Sequence, residues 1–416
     1  MAFFGALNNS ENLGTWEFQH DTVSGSRWNP TITPYSPGGY DDIRVYVGDA
    51  NLPHTNMIIN SGFPVSASGD KTAKIWTTKL SDIESISIGN AYFNKYIINH
   101  VDFSEFTRCT SFNTGASVNN RIDQVTFPSH SLVTTLVSCF FNGRVTAMKP
   151  VDLSTLGNLG GNVKFEQCIK LSEVILPTTN PLAEINDFDF QVCTILSSSF
   201  DLSGLNFGDS RIYLQSCNIP SFIPPTGSNI STELDYINLS GNDISGTLDL
   251  SPLGNKFEGS FYTYTNSNLN QITNPTSPGA FTFYHAYSCD LTGNLDVSGL
   301  TGLGGDFRAY LNSNLTSITN PTSSQVFTKY YVRDCDLGYV DFKNITGSSI
   351  DIQIEDNNMT ATEVNHILVD LDNLTWTSGS ITIDGTNATP DATSGGYNGN
   401  AATASLVGKS WTVTTS

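Results

Sequence analysis

Cysteine, histidine, aspartate and tyrosine are the residues of this chain whose types and spacing could do chemistry. The seven cysteines are Cys109, Cys139, Cys168, Cys193, Cys217, Cys289 and Cys335. Their number is odd and no two form a CxxC, which argues against a disulfide framework and against a zinc ribbon. The six histidines, His20, His54, His100, His130, His285 and His366, are scattered without ligand spacing. No phosphate loop, dinucleotide fingerprint, HExxH or GxSxG occurs. The chain is therefore expected to be non-enzymatic, with no cofactor and no metal. Carboxylates are so plentiful that any single acidic pair is a weak nomination. Six aspartates do recur: Asp102, Asp152, Asp201, Asp249, Asp296 and Asp341, at intervals of 50, 49, 48, 47 and 45. A calcium ladder would need several oxygens per ion at one place. A turn carboxylate that accepts local backbone N–H groups is the simpler reading.

The cysteines are spaced like a structural repeat. From Cys139 the gaps are 29, 25, 24, 72 and 46. Asn242 and Asn266 divide the longest gap, Asn312 divides the last, and Asn357 continues the series. The cleanest copy is "LDYINLSGNDI", with Leu234, Ile237, Leu239, Asn242 and Ile244 in place. Each unit reads as a short strand with alternate side chains inward, ended by an inward Cys or Asn that serves buried backbone groups of the bend. One such turn cannot bury its apolar face alone, but stacked neighbours can. The predicted ladder is Cys139, Cys168, Cys193, Cys217, Asn242, Asn266, Cys289, Asn312, Cys335 and Asn357.

Two kinds of turn alternate. One ends in an apolar-x-x-apolar-x-x-Pro pattern, with Pro128, Pro177, Pro225, Pro275 and Pro321. The other carries the recurring aspartate. The unit is thus a pair of turns, which explains why "YTNSNLNQITNPTS" from Tyr264 returns as "YLNSNLTSITNPTS" from Tyr310. The pattern resembles the leucine-rich repeat, L-x-x-L-x-L-x-x-N/C-x-L over 20–29 residues. The expected fold is a mainly β repeat solenoid of about 12–13 turns of ~24 residues in alternating pairs. Stretches such as "GTLDLSPLGN" are too rich in Gly, Pro and Asn for a helix, so the convex side should be non-helical. A right-handed parallel β-helix is the main structural rival.

Three segments follow. Residues 1–80 do not fit the repeat and alternate like strands, so they read as a β-rich N-terminal domain or cap. Residues 81–376 form the solenoid. Residues 377–416 form a C-terminal cap. Next to that cap, "TATEVNHILVDLDNL" offers a capping box at Thr360 and Glu363 and an apolar helical face of Val364, Ile367, Leu368 and Leu371. A short helix near Ala401–Leu406 and a final strand with Trp411 and Val413 buried should close the chain.

The net charge of −20 disfavours nucleic acid and anionic membranes as partners. Only 14% of residues are charged, so Ser, Thr and Asn must supply much of the surface. "MAFFGALNNSENLG" lacks a basic region and an apolar run, so a signal peptide is not expected. No apolar stretch is long enough to span a membrane. The C-terminal segment, with "ITIDGTNATP" and "GKSWTV", resembles the terminal module of leucine-rich repeat proteins of bacteriophages and bacterial surfaces. That resemblance implies a binding scaffold on a virion: a fibre, tail-tip or capsid-decorating structural protein used for host attachment. Its partners would be other virion proteins through residues 1–80, further copies of the chain, and a host cell-surface glycan or protein. A bacterial surface adhesin is the alternative, and a glycan-degrading β-helix enzyme ranks below both.

Strand geometry then nominates a receptor-binding face. Residues four and two before each Asn/Cys point outward onto the concave sheet. The candidate ligand-binding residues are Tyr213, Tyr262, Tyr264, His285, Tyr287, Arg308, Tyr310, Tyr331 and Arg333. Tyrosine and arginine are enriched at recognition hot spots. An aromatic ladder that merely stabilises neighbouring strands is the competing explanation.

Overall fold

The computed structural model describes residues 125–127 and 150–416, except 170, 182, 195, 277–279, 301, 303–304 and 347–348; elsewhere before residue 150 it gives only the course of strands. Two compact units are present. The first comprises Met1–Ser198 with Gly204–Asn218, and the second comprises Ser199–Ser203 with Ile219–Ser416. The fold is a mainly β parallel solenoid with few helices.

In the first unit, Leu13–His20 pairs antiparallel with Gly69–Trp76 and with Tyr96–Asp102. The strands Ile83–Ser87, Ser111–Asn113, Leu136–Phe140, Leu159–Lys164, Ile185–Asp189 and Phe207–Tyr213 then pair in parallel, each with the next. In the second unit the parallel run is Leu234–Asn238, Phe257–Tyr262, Phe281–His285, Asp306–Arg308, Lys329–Tyr331, Ile350–Gln353, Gly379–Thr382 and Trp411–Thr414.

Alternation along these strands sorts core from surface. Ile237, Phe261, Tyr284, Phe307, Tyr330, Ile352 and Ile381 face inward and are all fully buried. Four of them form an aromatic spine: between centroids, Phe261 meets Tyr284 tilted at 5.2 Å, while Tyr284 stacks on Phe307 at 5.5 Å and Phe307 on Tyr330 at 4.9 Å. Burying each such side chain contributes about 1.5–3 kcal/mol. The two tyrosines carry hydroxyls that need partners in this apolar interior. Tyr284 donates to Asn274 at 3.2 Å, and Tyr330 donates to Asn320 at 2.9 Å. Both asparagines lie in the duplicated "ITNPTS" stretch, so the copying preserves an Asn–Tyr bond in successive pairs of turns.

The bend after each strand has a constant backbone device. Gln167, Val192, Ser216, Gly241, Thr265, Ser288, Leu311, Asp334 and Asp356 all have φ between 53° and 65°. Each stands immediately before a Cys or Asn of the ladder. Left-handed backbone turns the chain inward there, although only one of the nine positions is glycine, the residue that adopts it at no steric cost.

A second set of short strands runs on the other side, and these pair two by two. In the first unit Val151–Asp152 pairs with Val174–Ile175. In the second, Phe200–Asp201 pairs with Phe222–Ile223, Ser245–Asp249 with Asn268–Thr273, Thr292–Asp296 with Asn314–Thr319, and Gln325–Val326 with Ile345–Thr346. Ladder pairing stops after every second turn, with only isolated backbone bonds such as Asp290 N–H to the Leu269 carbonyl at 3.2 Å crossing between pairs, and this is the two-turn period of the sequence.

Helix α1 spans Ala361–Asn373 and opens with the expected capping box of Thr360 and Glu363. Val364, Ile367, Leu368 and Leu371 are buried. Helix α2 spans Gly399–Gly408. In the last strand Trp411 is buried and stacks on Trp376 at 5.8 Å, but Val413 is half-exposed rather than buried. It lies in the outermost strand of its sheet, with a neighbour on one side only.

Candidate functional site

The outward columns of the second unit fall in register. Asn238, Tyr262, His285, Arg308, Tyr331 and Gln353 are consecutive Cα partners. The next outward column continues past the strand ends. Backbone bonds from Gly241, Thr265, Ser288 and Leu311 reach the carbonyls of Tyr264, Tyr287, Tyr310 and Arg333 in turn. The tyrosine rings stack almost face to face. Tyr264 and Tyr287 are 4.6 Å apart at 2°, Tyr287 and Tyr310 are 4.4 Å apart at 8°, and the Arg333 guanidinium lies 4.7 Å from the Tyr310 centroid. The ring faces are therefore largely covered by one another, and edges and hydroxyls remain for a partner. Burial, with Tyr310 and Tyr264 alongside, pushes the Tyr287 phenol up to about 12. Tyr213 belongs to the first unit, where it is the register partner of Asp189.

One outward column was missed in the sequence. It lies two residues further back along each strand and comprises Tyr236, Ser260, Phe283, Asp306, Lys329 and Asp351. The strand's two-residue alternation, carried one step further, would have found it. This column decides the electrostatics. Asp306 accepts from Arg308 at 2.8 and 2.5 Å and lies 3.9 Å from Lys329. Arg333 is 2.7 Å from Asp334 and 3.5 Å from Glu355. Tyr331 donates to Asp351 at 2.5 Å. Burial opposes the charge of Asp306, but His285 and Arg308 outweigh it and hold the carboxyl well below the usual carboxylate range. The two arginines that the sequence nominated as ligand-binding residues are thus already engaged. Arg308, Lys329 and Arg333 face Asp306, Asp334, Asp351 and Glu355, so the stripe carries no excess positive charge. His285 is buried, and its Nε2 lies 3.6 Å from Asp306 Oδ1, beyond hydrogen-bond distance.

The inward ladder is a set of backbone clamps. Asn312 Oδ1 accepts from the amides of Cys289 at 3.2 Å and Leu291 at 3.3 Å. Its Nδ2 donates to the carbonyls of Ala286, Ala309 and Tyr310 at 2.9, 2.8 and 3.4 Å. Asn242, Asn266 and Asn357 repeat the arrangement. Asn387 adds a rung that the sequence reading missed. It accepts from Asn357 at 3.1 Å and Met359 at 3.0 Å and donates to Ile354 at 2.8 Å. Asn357 stands three residues after Ile354, whereas Asn387 stands four after Ile383. That extra residue hid it from a fixed-spacing pattern.

Cysteine rungs do half of this work. Cys193, Cys217, Cys289 and Cys335 donate to carbonyls of Phe165, Phe190, Thr263 and Ala309 at 3.0, 2.7, 3.2 and 3.4 Å. Cys168 bonds within its own turn, to Glu166 at 3.7 Å. All five are thiols rather than disulfide cysteines, and all but the half-exposed Cys289 are buried. Burial pushes the thiols of Cys193 and Cys217 far up, that of Cys289 to about 11 and that of Cys335 to about 12. The side chains of Cys109 and Cys139 lie outside the described residues.

The aspartate column closes turns. Asp152, Asp201, Asp249, Asp296 and Asp341 each accept the backbone N–H two residues on, at 2.9, 3.0, 2.9, 2.9 and 2.9 Å. Among the described residues no three His, Cys, Asp or Glu side chains are grouped to hold a metal, and no helix is long and apolar enough to cross a membrane. No family model, curated protein or solved structure matches the chain.

Proposed function

We propose that this chain is a non-enzymatic recognition scaffold of the leucine-rich repeat type, carried on a bacteriophage virion. It binds the host cell surface through the outward face of its parallel sheet. The observation that carries the reading is the Tyr264–Tyr287–Tyr310 ladder closed by Arg333, three aromatic side chains aligned across neighbouring turns on the outside of the core. Core demands do not place tyrosine there. With its charges paired, the stripe suits hydrogen bonding from ring edges and phenols rather than capture of a strongly charged polymer. The partner is a host cell-surface glycan or protein. The virion assignment rests on the resemblance of the C-terminal segment.

Replacing Tyr264, Tyr287 and Tyr310 together by Ser tests the surface. The variant should fold, because these side chains leave the core, and should no longer bind host cells in a pull-down of labelled protein. Wild-type binding by the folded variant would remove the stripe from consideration. Mass spectrometry of purified particles tests the location, and absence of the chain from them would shift the reading to a bacterial surface adhesin.

A further inference from the structure

We propose that the second unit has another binding site, a groove for an uncharged saccharide between two pairs of its short strands. Ser245–Asp249 pairs with Asn268–Thr273, and Thr292–Asp296 pairs with Asn314–Thr319, but Asn268–Thr273 and Thr292–Asp296 do not pair with each other. Two asparagines bridge the seam. Asn270 Nδ2 donates to the Asp290 carboxylate at 3.2 Å, and Asn274 Nδ2 donates to the Asp296 carbonyl at 2.9 Å. Around this seam lies a groove of about 920 Å³, within the size range of small-ligand sites. None of the tyrosine-stripe residues lines it.

The first copy of the duplicated sentence supplies one wall, from Gln271 to Thr276; Thr292, Gly293, Asn294, Asp296, Ser298 and Gly299 supply the other, and the second copy adds Thr322. The core accounts for the copied asparagines, through Tyr284 and Tyr330. It does not account for the copied threonines, since Thr273, Thr276, Thr319 and Thr322 are all exposed.

The lining chemistry selects the ligand. Gln271, Thr273, Thr276, Thr292, Asn294 and Thr322 present hydroxyls and amides, and Asp296 presents the single carboxylate. Asp296 Oδ1 is taken by the Ser298 amide, which leaves Oδ2 to accept from a ligand. No lysine or arginine lines the groove, so an anionic ligand would meet a carboxylate without a counter-charge. Ile272 is buried, so apolar side chains of an extended peptide would find no pocket. A saccharide both donates and accepts at neighbouring hydroxyls, as amides, hydroxyls and one carboxylate require. Gly293 leaves bare backbone on one wall. It has φ of 67°, and a Cβ there would meet nothing within 4 Å.

That glycine makes a clean test. Gly293→Asn puts a side chain into the groove at a backbone conformation that asparagine tolerates. Gly246→Asn is the control, with φ of 70°, equally open space, and a position outside the groove lining. The probes are short neutral oligosaccharides of glucose, galactose and N-acetylglucosamine, read by saturation-transfer NMR on the full chain. A sulfated oligosaccharide and an extended Thr-rich peptide serve as counter-probes. We expect at least one neutral probe to bind. Its affinity should fall about tenfold or more in Gly293→Asn, a loss of about 1.4 kcal/mol, and stay unchanged in Gly246→Asn and in the Tyr264, Tyr287 and Tyr310 triple variant. Should Gly293→Asn not fold, Thr276→Trp blocks the same groove from an exposed position. Binding of no neutral probe, binding of a counter-probe alone, or equal binding by the blocked variants would overturn the proposal. Loss of binding only in the tyrosine variant would place the saccharide on the stripe instead.

Discussion

Exchanging Asn312 tests what the ladder does. This side chain is fully buried and holds two amides and three carbonyls. Asn312→Ala strands the amides of Cys289 and Leu291. Each unsatisfied buried group costs about 1–3 kcal/mol, so the change should destabilise by about 3–4 kcal/mol. Asn312→Cys should be damaged about 1 kcal/mol less than Asn312→Ala, because a thiol leaves the same two amides unserved but can still donate to a backbone carbonyl, as Cys289 and Cys335 do. Asn312→Asp is the decisive variant. One oxygen still accepts from the two amides, but the other now faces the carbonyls unless it carries a proton. The folded pKa must therefore rise above the unfolded value of about 3.9. A raised folded pKa means that stability is retained below the unfolded pKa and falls as pH rises towards the folded one. Between pH 4 and pH 7 the loss approaches about 4 kcal/mol. Urea unfolding at both pH values, followed by hydrogen exchange at the amides of Cys289 and Leu291, measures this. A variant equally stable at both, or a Cys variant as damaged as the Ala one, would refute the clamp.

The thiols offer a second check. In the native protein at pH 8, iodoacetamide labelling resolved by peptide mass spectrometry should reach Cys289 before Cys193, Cys217 and Cys335, which stay unmodified until urea is added; rapid native labelling of those three would contradict their burial. At the bend before Cys193, Val192 has φ of 61°, a conformation that is costly for a β-branched residue. Val192→Gly, which copies Gly241 at the equivalent bend, should raise stability by about 0.5–1 kcal/mol in thermal unfolding. Tyr284→Phe and Tyr330→Phe should each cost about 1 kcal/mol, since each removes one hydrogen bond to a half-exposed asparagine. Unequal losses would show that the two copies of the sentence are not doing the same thing.

The inward positions were legible in the sequence because their chemistry is restricted. A rung must accept from backbone amides, donate to backbone carbonyls and fit a tight bend, so Asn and Cys recur at one spacing. The left-handed residue before each rung left no such trace: Gln, Val, Ser, Gly, Thr, Leu and Asp all occupy it. There the clamp, rather than the local preference of the residue, holds the backbone. The Asn–Tyr bond was written openly in the repeated "ITNPTS", yet the tyrosine lies ten residues on, in the next strand of the long parallel sheet, and only the stacking of turns joins them.

The outward face yielded less, for a related reason. A column of side chains can be listed from spacing alone, and Tyr264, Tyr287 and Tyr310 are indeed neighbours. What those side chains spend their contacts on depends on the adjacent columns. Asp306 sits two residues before Arg308 in the same strand, on the same face, and removes that cation from the list of free groups. Arg333 is held partly by Glu355 of the next turn, 22 positions later. The cations of the stripe are therefore neutralised by residues of ordinary type whose meaning comes only from register. The same holds at the seam between the short strands. Threonines 273, 276 and 322 are copied with the repeated "ITNPTS", but they come to line one groove only because pairing stops after every second turn. In this solenoid the core is encoded turn by turn, and any binding surface is encoded between turns.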